Sequence, residues 1–125
     1  MKKYSRQRAA VLKALSADKS HPTANKVYDD VRKELPNISL GTVYRNLSDL
    51  CDSGEAIRIS VGDGFEHFDA DVSPHIHLHC RVCGKTTDLY SNTDFAENAA
   101  RNIGFEPEGC TVVINGVCKN CRKRQ

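Results

Sequence analysis

Over the first fifty positions the apolar residues recur at intervals of three and four. Ala9, Val11, Leu12 and Leu15 predict a helix over 5–16 with Ser5 as its N-cap. Lys19–Thr23 reads as a connector in which Pro22 and Thr23 suit a helix start. A second helix then runs to about Leu35, carrying Val27, Tyr28, Val31 and Leu35 on one face until Pro36-Asn37 stops it. Ser39 caps a third, whose stripe is Leu40, Val43, Tyr44, Leu47 and Leu50, with Gly54 just past its end. After Gly54 the period drops to two: residues 56–61 alternate, Gly62-Asp63-Gly64 makes a tight turn, and 65–68 return. Residues 69–74 are polar. Beyond them the pattern predicts strands near 77–80 and 86–90, a helix over 92–103, a strand over 111–117 and a basic tail. Three helices followed by a hairpin is the order of a winged helix-turn-helix. The expected fold class is therefore α+β: a winged helix-turn-helix over 1–69, a hinge over 70–74, and a small α/β domain over 75–125.

Composition adds context to that division. The 125 residues are 39% hydrophobic and 27% charged, and no apolar run approaches the roughly 18 residues of a membrane span. The basic residues Lys2, Lys3 and Arg6 precede no apolar segment of signal-peptide type, so the expected compartment is the cytoplasm, with no membrane partner. In a reducing compartment six cysteines suggest metal binding or redox chemistry rather than a disulfide framework. The net charge of +2 conceals an asymmetry. Residues 1–54 carry ten basic and six acidic side chains, and residues 55–125 carry eight and ten. A basic front half suits a polyanion. At about 60 residues each, both halves are small for a self-sufficient core, and the second should need a metal or a partner subunit.

The cysteine spacing supplies the metal. Cys80-Arg-Val-Cys83 and Cys118-Lys-Asn-Cys121 are two C-x2-C pairs, each able to place both sulfurs about 2.3 Å from one zinc ion. Four thiolates make a closed, structural site. A redox dithiol or simple core filling would account for one such pair; two pairs favour Zn2+. Cys51, on the third helix, reads as a small core residue, and the role of Cys110 stays open.

A second donor set is harder. His75 and His77 lie on one face of an extended segment, because strand side chains repeat every second residue. Asp69 precedes them and Asp88 follows the first cysteine pair. Imidazoles with carboxylates suit Fe2+, Mn2+ or Zn2+. Scattered surface His and Asp remain the alternative for any one residue, and composition gives no reason to include His21. His67 reads as a surface residue of the hairpin, and His79, beside Cys80, as a further ligand or a support for one.

Over nearly its whole length the sequence resembles the ferric uptake regulator (Fur) family of bacterial metal-dependent repressors. The resemblance rests on His21-Pro22-Thr23-Ala24 with Val27-Tyr28, on Ser39-Leu-Gly-Thr42-Val43-Tyr44-Arg45-Asn-Leu47, on His75-Ile-His77-Leu-His79-Cys80-Arg-Val-Cys83-Gly84-Lys85, and on Gly116-Val-Cys118-Lys-Asn-Cys121, in family order. It implies a DNA-binding winged helix joined to a dimerisation domain, acting as a homodimer on palindromic, AT-rich double-stranded operator DNA. It implies structural zinc at Cys80, Cys83, Cys118 and Cys121, and a regulatory site at His21, Asp69, His75, His77 and Asp88. His21 enters only through this resemblance. Asp69, where iron-uptake regulators tend to have Glu, together with the all-His/Asp set, looks more like the peroxide-responsive branch. In that branch Fe2+ keeps an open position, and peroxide chemistry there attacks a ligand histidine, by resemblance His21 or His75; Mn2+ would bind without that chemistry.

The third helix is expected in the major groove, with Arg45 bidentate to a guanine edge and Tyr44 against a thymine methyl. Ser39 and Thr42 suit phosphate contacts at the helix start. Tyr44 fits the apolar stripe equally well. Arg45 stands where some peroxide repressors have Asn, and Lys2 and Lys3 are candidate minor-groove contacts. The alternatives are an iron- or zinc-uptake regulator of the same family, a zinc-ribbon interaction module, and a metallohydrolase using the His/Asp site. The last lacks a general base or a pocket motif for a small organic substrate, so no enzyme is expected.

Overall fold

The periodicity of three and four becomes three helices in the structure, a computed structural model that describes residues 3–123. Chain contacts divide the molecule into two units, residues 1–72 and 73–125. The first holds α1 (Lys3–Ala17), α2 (Ala24–Val31), α3 (Leu40–Asp52), β1 (Ile57–Ser60) and β2 (Glu66–Asp69). The second holds β3 (Ile76–Cys80), β4 (Thr86–Leu89), α4 (Asp94–Asn102), β5 (Val112–Gly116) and α5 (Lys119–Lys123).

The first unit is built around the expected stripes. Val11 and Leu15 of α1, Val27 and Val31 of α2, and Val43, Leu47 and Leu50 of α3 converge with Ala56 and Phe68 in one buried cluster. Complete burial of such side chains contributes about 1.5–3 kcal/mol each. Ser39 caps α3, its Oγ accepting the Thr42 N–H at 3.1 Å, and Gly54 leaves the helix with φ +82°. Ser5 lies inside α1 rather than at its N-cap. The apolar spacing that suggested 5–16 does not mark the helix start, and neither Lys3 nor Tyr4 is a Gly or Pro that would stop the helix from extending back. Lys2 falls outside the described residues. α2 ends at Val31, short of Leu35. The residue before Pro36 disfavours helical geometry, and the chain closes with tighter bonds from the Lys33 N–H to the Asp30 carbonyl and the Glu34 N–H to the Val31 carbonyl. β1 and β2 pair antiparallel, with Arg58 opposite Phe68. Their turn uses Gly62 and Gly64 at φ +85° and +84°, a region only glycine enters without strain.

The second unit has a three-stranded sheet in the order β4-β3-β5. β3 and β4 are antiparallel. β5 returns parallel to β3, with Cys80 opposite Gly116, which requires a crossover through α4. Parallel strands leave a sheet at the same end, so both cysteine pairs emerge from one edge. The stretch expected as a basic tail forms α5, which buries Cys121. α4 buries none of its side chains. Phe95, Ile103, Phe105 and Ile114 are exposed.

Candidate functional site

The strand ends place the four cysteines. Cys80 closes β3, Cys83 follows in the turn, Cys118 follows β5 and Cys121 sits in α5. Their sulfurs all lie within 4.8 Å of one another, with Cys83 Sγ 3.9 Å from Cys118 Sγ. Thiolates about 2.3 Å from a common ion in a tetrahedron stand roughly 3.8 Å apart, so the cluster has the dimensions of a tetrathiolate zinc site. The backbone N–H groups of Cys83 and Cys118 donate to the Cys80 sulfur at 3.5 and 3.3 Å. They hold its thiol down at about 5. Cys121 is pushed up to about 12 by its hydrogen bond with Cys118, reinforced by burial. One sulfur of the group favours the anion and another resists it; a divalent cation is what allows all four to ionise together.

The His/Asp candidates form one group in each unit. In the first, His21 Nε2 lies 3.4 Å from Asp69 Oδ2. His21 is buried and adopts φ +60°, alone among the described non-glycine residues. Such a backbone costs of order 1–3 kcal/mol and clusters at ligand-holding positions. In the second, His77 faces Asp88 across the β3–β4 ladder. Asp88 Oδ1 lies 3.4 Å from His75 Nε2 and 3.9 Å from His77 Nε2. The His75 and His77 rings are buried with centroids 4.3 Å apart. His75 Nδ1–H donates to the Ser73 carbonyl at 2.7 Å. A carbonyl only accepts, so this bond leaves Nε2, on the Asp88 side, as the basic nitrogen. In each unit the donors are imidazole nitrogen and carboxylate oxygen, a chemistry that fits Fe2+, Mn2+ or Zn2+.

The DNA-contact candidates share α3 and its cap. Ser39 and Thr42 are occupied with each other, Ser39 Oγ donating to Thr42 Oγ1 at 2.9 Å. Arg45 is exposed. Tyr44 is neither core nor a bare reader: it is 43% exposed and stacks edge-on to Phe68 at 6.4 Å. Its hydroxyl donates to Glu66 Oε2 at 2.9 Å, and the carboxylate holds the phenol above its ordinary pKa. Glu66 also pairs with Arg58 at 3.6 Å, whose guanidinium reaches Ser48 Oγ at 2.7 Å. Sequence reasoning missed this strap between hairpin and α3, although the opposite charges of Arg58 and Glu66, diagonal neighbours across β1 and β2, could have signalled it. Lys26 and Arg32 pair with Asp30 and Asp29 at 2.8 and 3.0 Å, as ordinary helix charges. Cys51 is half-buried in α3, and Cys110 is exposed before β5. His79 Nδ1 and Thr86 Oγ1 are 3.1 Å apart.

Comparison with known proteins finds relatives along most of the chain. The ferric uptake regulator family matches residues 2–115. The peroxide-responsive repressor PerR of Staphylococcus epidermidis is 35% identical over 119 residues, covering 94% of this chain and 79% of the relative. The peroxide operon regulator of Bacillus subtilis is 36% identical over 121 residues, covering 95% and 83%. The crystal structure of the Campylobacter jejuni peroxide stress regulator superposes with a TM-score of 0.82 at 33% identity, covering 95% of this chain and 91% of that one. The chain belongs to the ferric uptake regulator family.

Proposed function

We propose that this protein is a peroxide-responsive repressor in which His21, Asp69, His75, His77 and Asp88 hold one regulatory Fe2+ or Mn2+ ion. As a member of its family it is a metal-dependent transcriptional regulator and not an enzyme. Regulators of this family are cytoplasmic and bind operator DNA, typically as dimers. The observation that carries the finer reading is that each unit sets buried imidazole nitrogen against carboxylate oxygen, with no thiolate in either group. Relatives at 35% and 36% identity named for peroxide response support it. Zn2+ is the ion assigned to the four cysteines.

Held by these donors, Fe2+ would supply the redox chemistry through which peroxide, reduced by two electrons, leaves one oxygen on a ligand imidazole and the other as water. The residues of this chain determine where that damage falls. His21 and His75 each present Nε2 beside a carboxylate, and both are buried. A ligand so modified no longer closes the metal site, and the population shifts toward an arrangement that releases DNA. Residues 1–69 carry DNA recognition in this reading, 70–74 the hinge, and 75–125 dimerisation. Ser39 and Thr42 approach phosphate, while Tyr44 and Arg45 approach base edges. The exposed apolar side chains of the second unit support self-association.

Mass spectrometry after Fe2+ loading and peroxide exposure tests this. The expected result is one added oxygen on a peptide containing His21 or His75, with loss of the gel shift on the protein's own promoter DNA. Unmodified ligand histidines with DNA binding retained would move the protein to iron or zinc homeostasis. Arg45→Ala should cost about 1–3 kcal/mol and relax preference at one base position; uniform weakening on all sequences would remove the base contact.

A further inference from the structure

His67 was expected as a surface residue of the hairpin, yet both of its ring nitrogens are engaged. Nδ1–H donates to the backbone carbonyl of His21 at 2.7 Å. Nε2 lies 2.6 Å from Asp63 Oδ2, and the side chain is only 17% exposed. Asp63 is fixed in its turn between Gly62 and Gly64, its Oδ1 accepting the Phe65 N–H at 3.0 Å. One residue along β2, the Phe68 N–H donates to the Pro22 carbonyl at 2.9 Å. The His21-Pro22 segment is therefore bonded to β2 by two consecutive residues, one through its ring and one through its backbone. This is the segment in which His21 adopts φ +60°. A left-handed backbone at a residue with a Cβ persists only where its surroundings over-determine it. The His67 ring bond is one of the contacts that do so.

We propose that His67 is a positioning residue for the regulatory metal. Its ring pins the carbonyl of His21, fixes that residue's strained backbone, and thereby aims the His21 imidazole. Through Asp63 the same ring ties the ligand segment to the tip of the hairpin, so the two move as one piece. The inference rests on the reading of His21 as a ligand, and the test separates the two.

Asn places its amide nitrogen where a histidine has Nδ1, and Gln places its own where a histidine has Nε2. His67→Asn therefore keeps the bond to His21, while His67→Gln keeps only the bond to Asp63. The full zinc-loaded chain is titrated with Co2+, following visible absorption, whose band positions report coordination geometry. His67→Asn should bind Co2+ within twofold of the unmodified chain and with the same spectrum. His67→Gln and His67→Ala should weaken binding roughly tenfold, as loss of an outer support for a metal ligand does, and should shift the bands. Wild-type affinity in His67→Gln would overturn the proposal. Equal weakening in His67→Asn and His67→Gln would also overturn it, since it would mark lost packing. His21→Asn, a residue that tolerates the left-handed backbone, is the control. If it abolishes Co2+ binding while His67→Gln does not, this inference alone fails. If it retains binding, His21 is no ligand and both readings fail.

Discussion

The two units solve the problem of small size differently. Among the described residues, the first unit buries thirteen apolar side chains, from Ala10 to Phe68. The second buries three, and two of those are Cys80 and Cys121. The first unit's helices pack on one another around a shared cluster. Among the described residues the second unit's longest helix, α4, fully buries none of its side chains, and Ile103 beside it is 86% exposed. One unit is held by a core; we propose that the other is held by zinc at its cysteines and by a second subunit on its open face. A sheet of three short strands does not reach independent stability through so thin an interior.

Removing zinc is the strongest way to break that comparison. A structural zinc contributes about 10–16 kcal/mol in small metal domains, against roughly 3–5 kcal/mol from a core of this size. Chelation, or Cys121→Ser, should therefore unfold residues 73–125 while leaving 1–72 intact. Limited proteolysis should show cleavage confined to the second unit; simultaneous loss of both would mean the first is not self-sufficient. The protons released on reloading sharpen the point. The unfolded unit has lost the backbone N–H bonds that hold Cys80 down at about 5 and the contacts that push Cys121 up to about 12, so all four thiols start near the ordinary value of about 8.5 and are protonated at pH 7. Calorimetry in buffers of different ionisation enthalpy should find close to four protons released per zinc at pH 7. Clearly fewer would mean that the metal-free unit keeps its fold and its lowered Cys80.

Leu47→Ala should do the converse. Leu47 is fully buried, and the cavity left should cost about 2–5 kcal/mol. Urea denaturation should show that loss in the first unit with zinc retention unchanged. Ile103→Asp is smaller and more selective. So exposed a side chain contributes little to its own unit, so the melting midpoint should stay within a few degrees. Sedimentation should nevertheless show dimer dissociation rising tenfold or more, about 1.4 kcal/mol; unchanged association would place the interface elsewhere. Ser39→Ala, which removes the cap of α3, should cost about 1 kcal/mol, read as a lowered denaturation midpoint of the first unit alone.

What was legible in the sequence follows the same division. The α1–α3 stripes carry a strong period because a real core stands behind them, and the order of helices and hairpin could be read directly. The C-x2-C pairs were legible because zinc imposes both the residue type and the local spacing. α5 was not, because five residues ending in Arg122 and Lys123 with one buried side chain show no apolar period. The parallel return of β5 beside β3 leaves no local trace, since register across a crossover is set by tertiary pairing. His21 stayed invisible to patterning for a related reason: its place depends on a positive φ and on bonds to residues more than forty positions away. The clasp of Tyr44 by Glu66 was hidden because aromatic residues at helical spacing fit a core stripe and a half-exposed strap equally well.

The pairing of Cys80 with Gly116 has a consequence for how such a chain can vary. Because β3 and β5 run side by side and end together, the two cysteine pairs are neighbours whatever lies in the chain between them. The sheet, not the interval of 34 residues from Cys83 to Cys118, sets the geometry of the metal. Descendants of this sequence are therefore free to lengthen, shorten or exchange α4 and its loops, and with them the partners that surface selects, while the anchorage beneath is inherited unchanged.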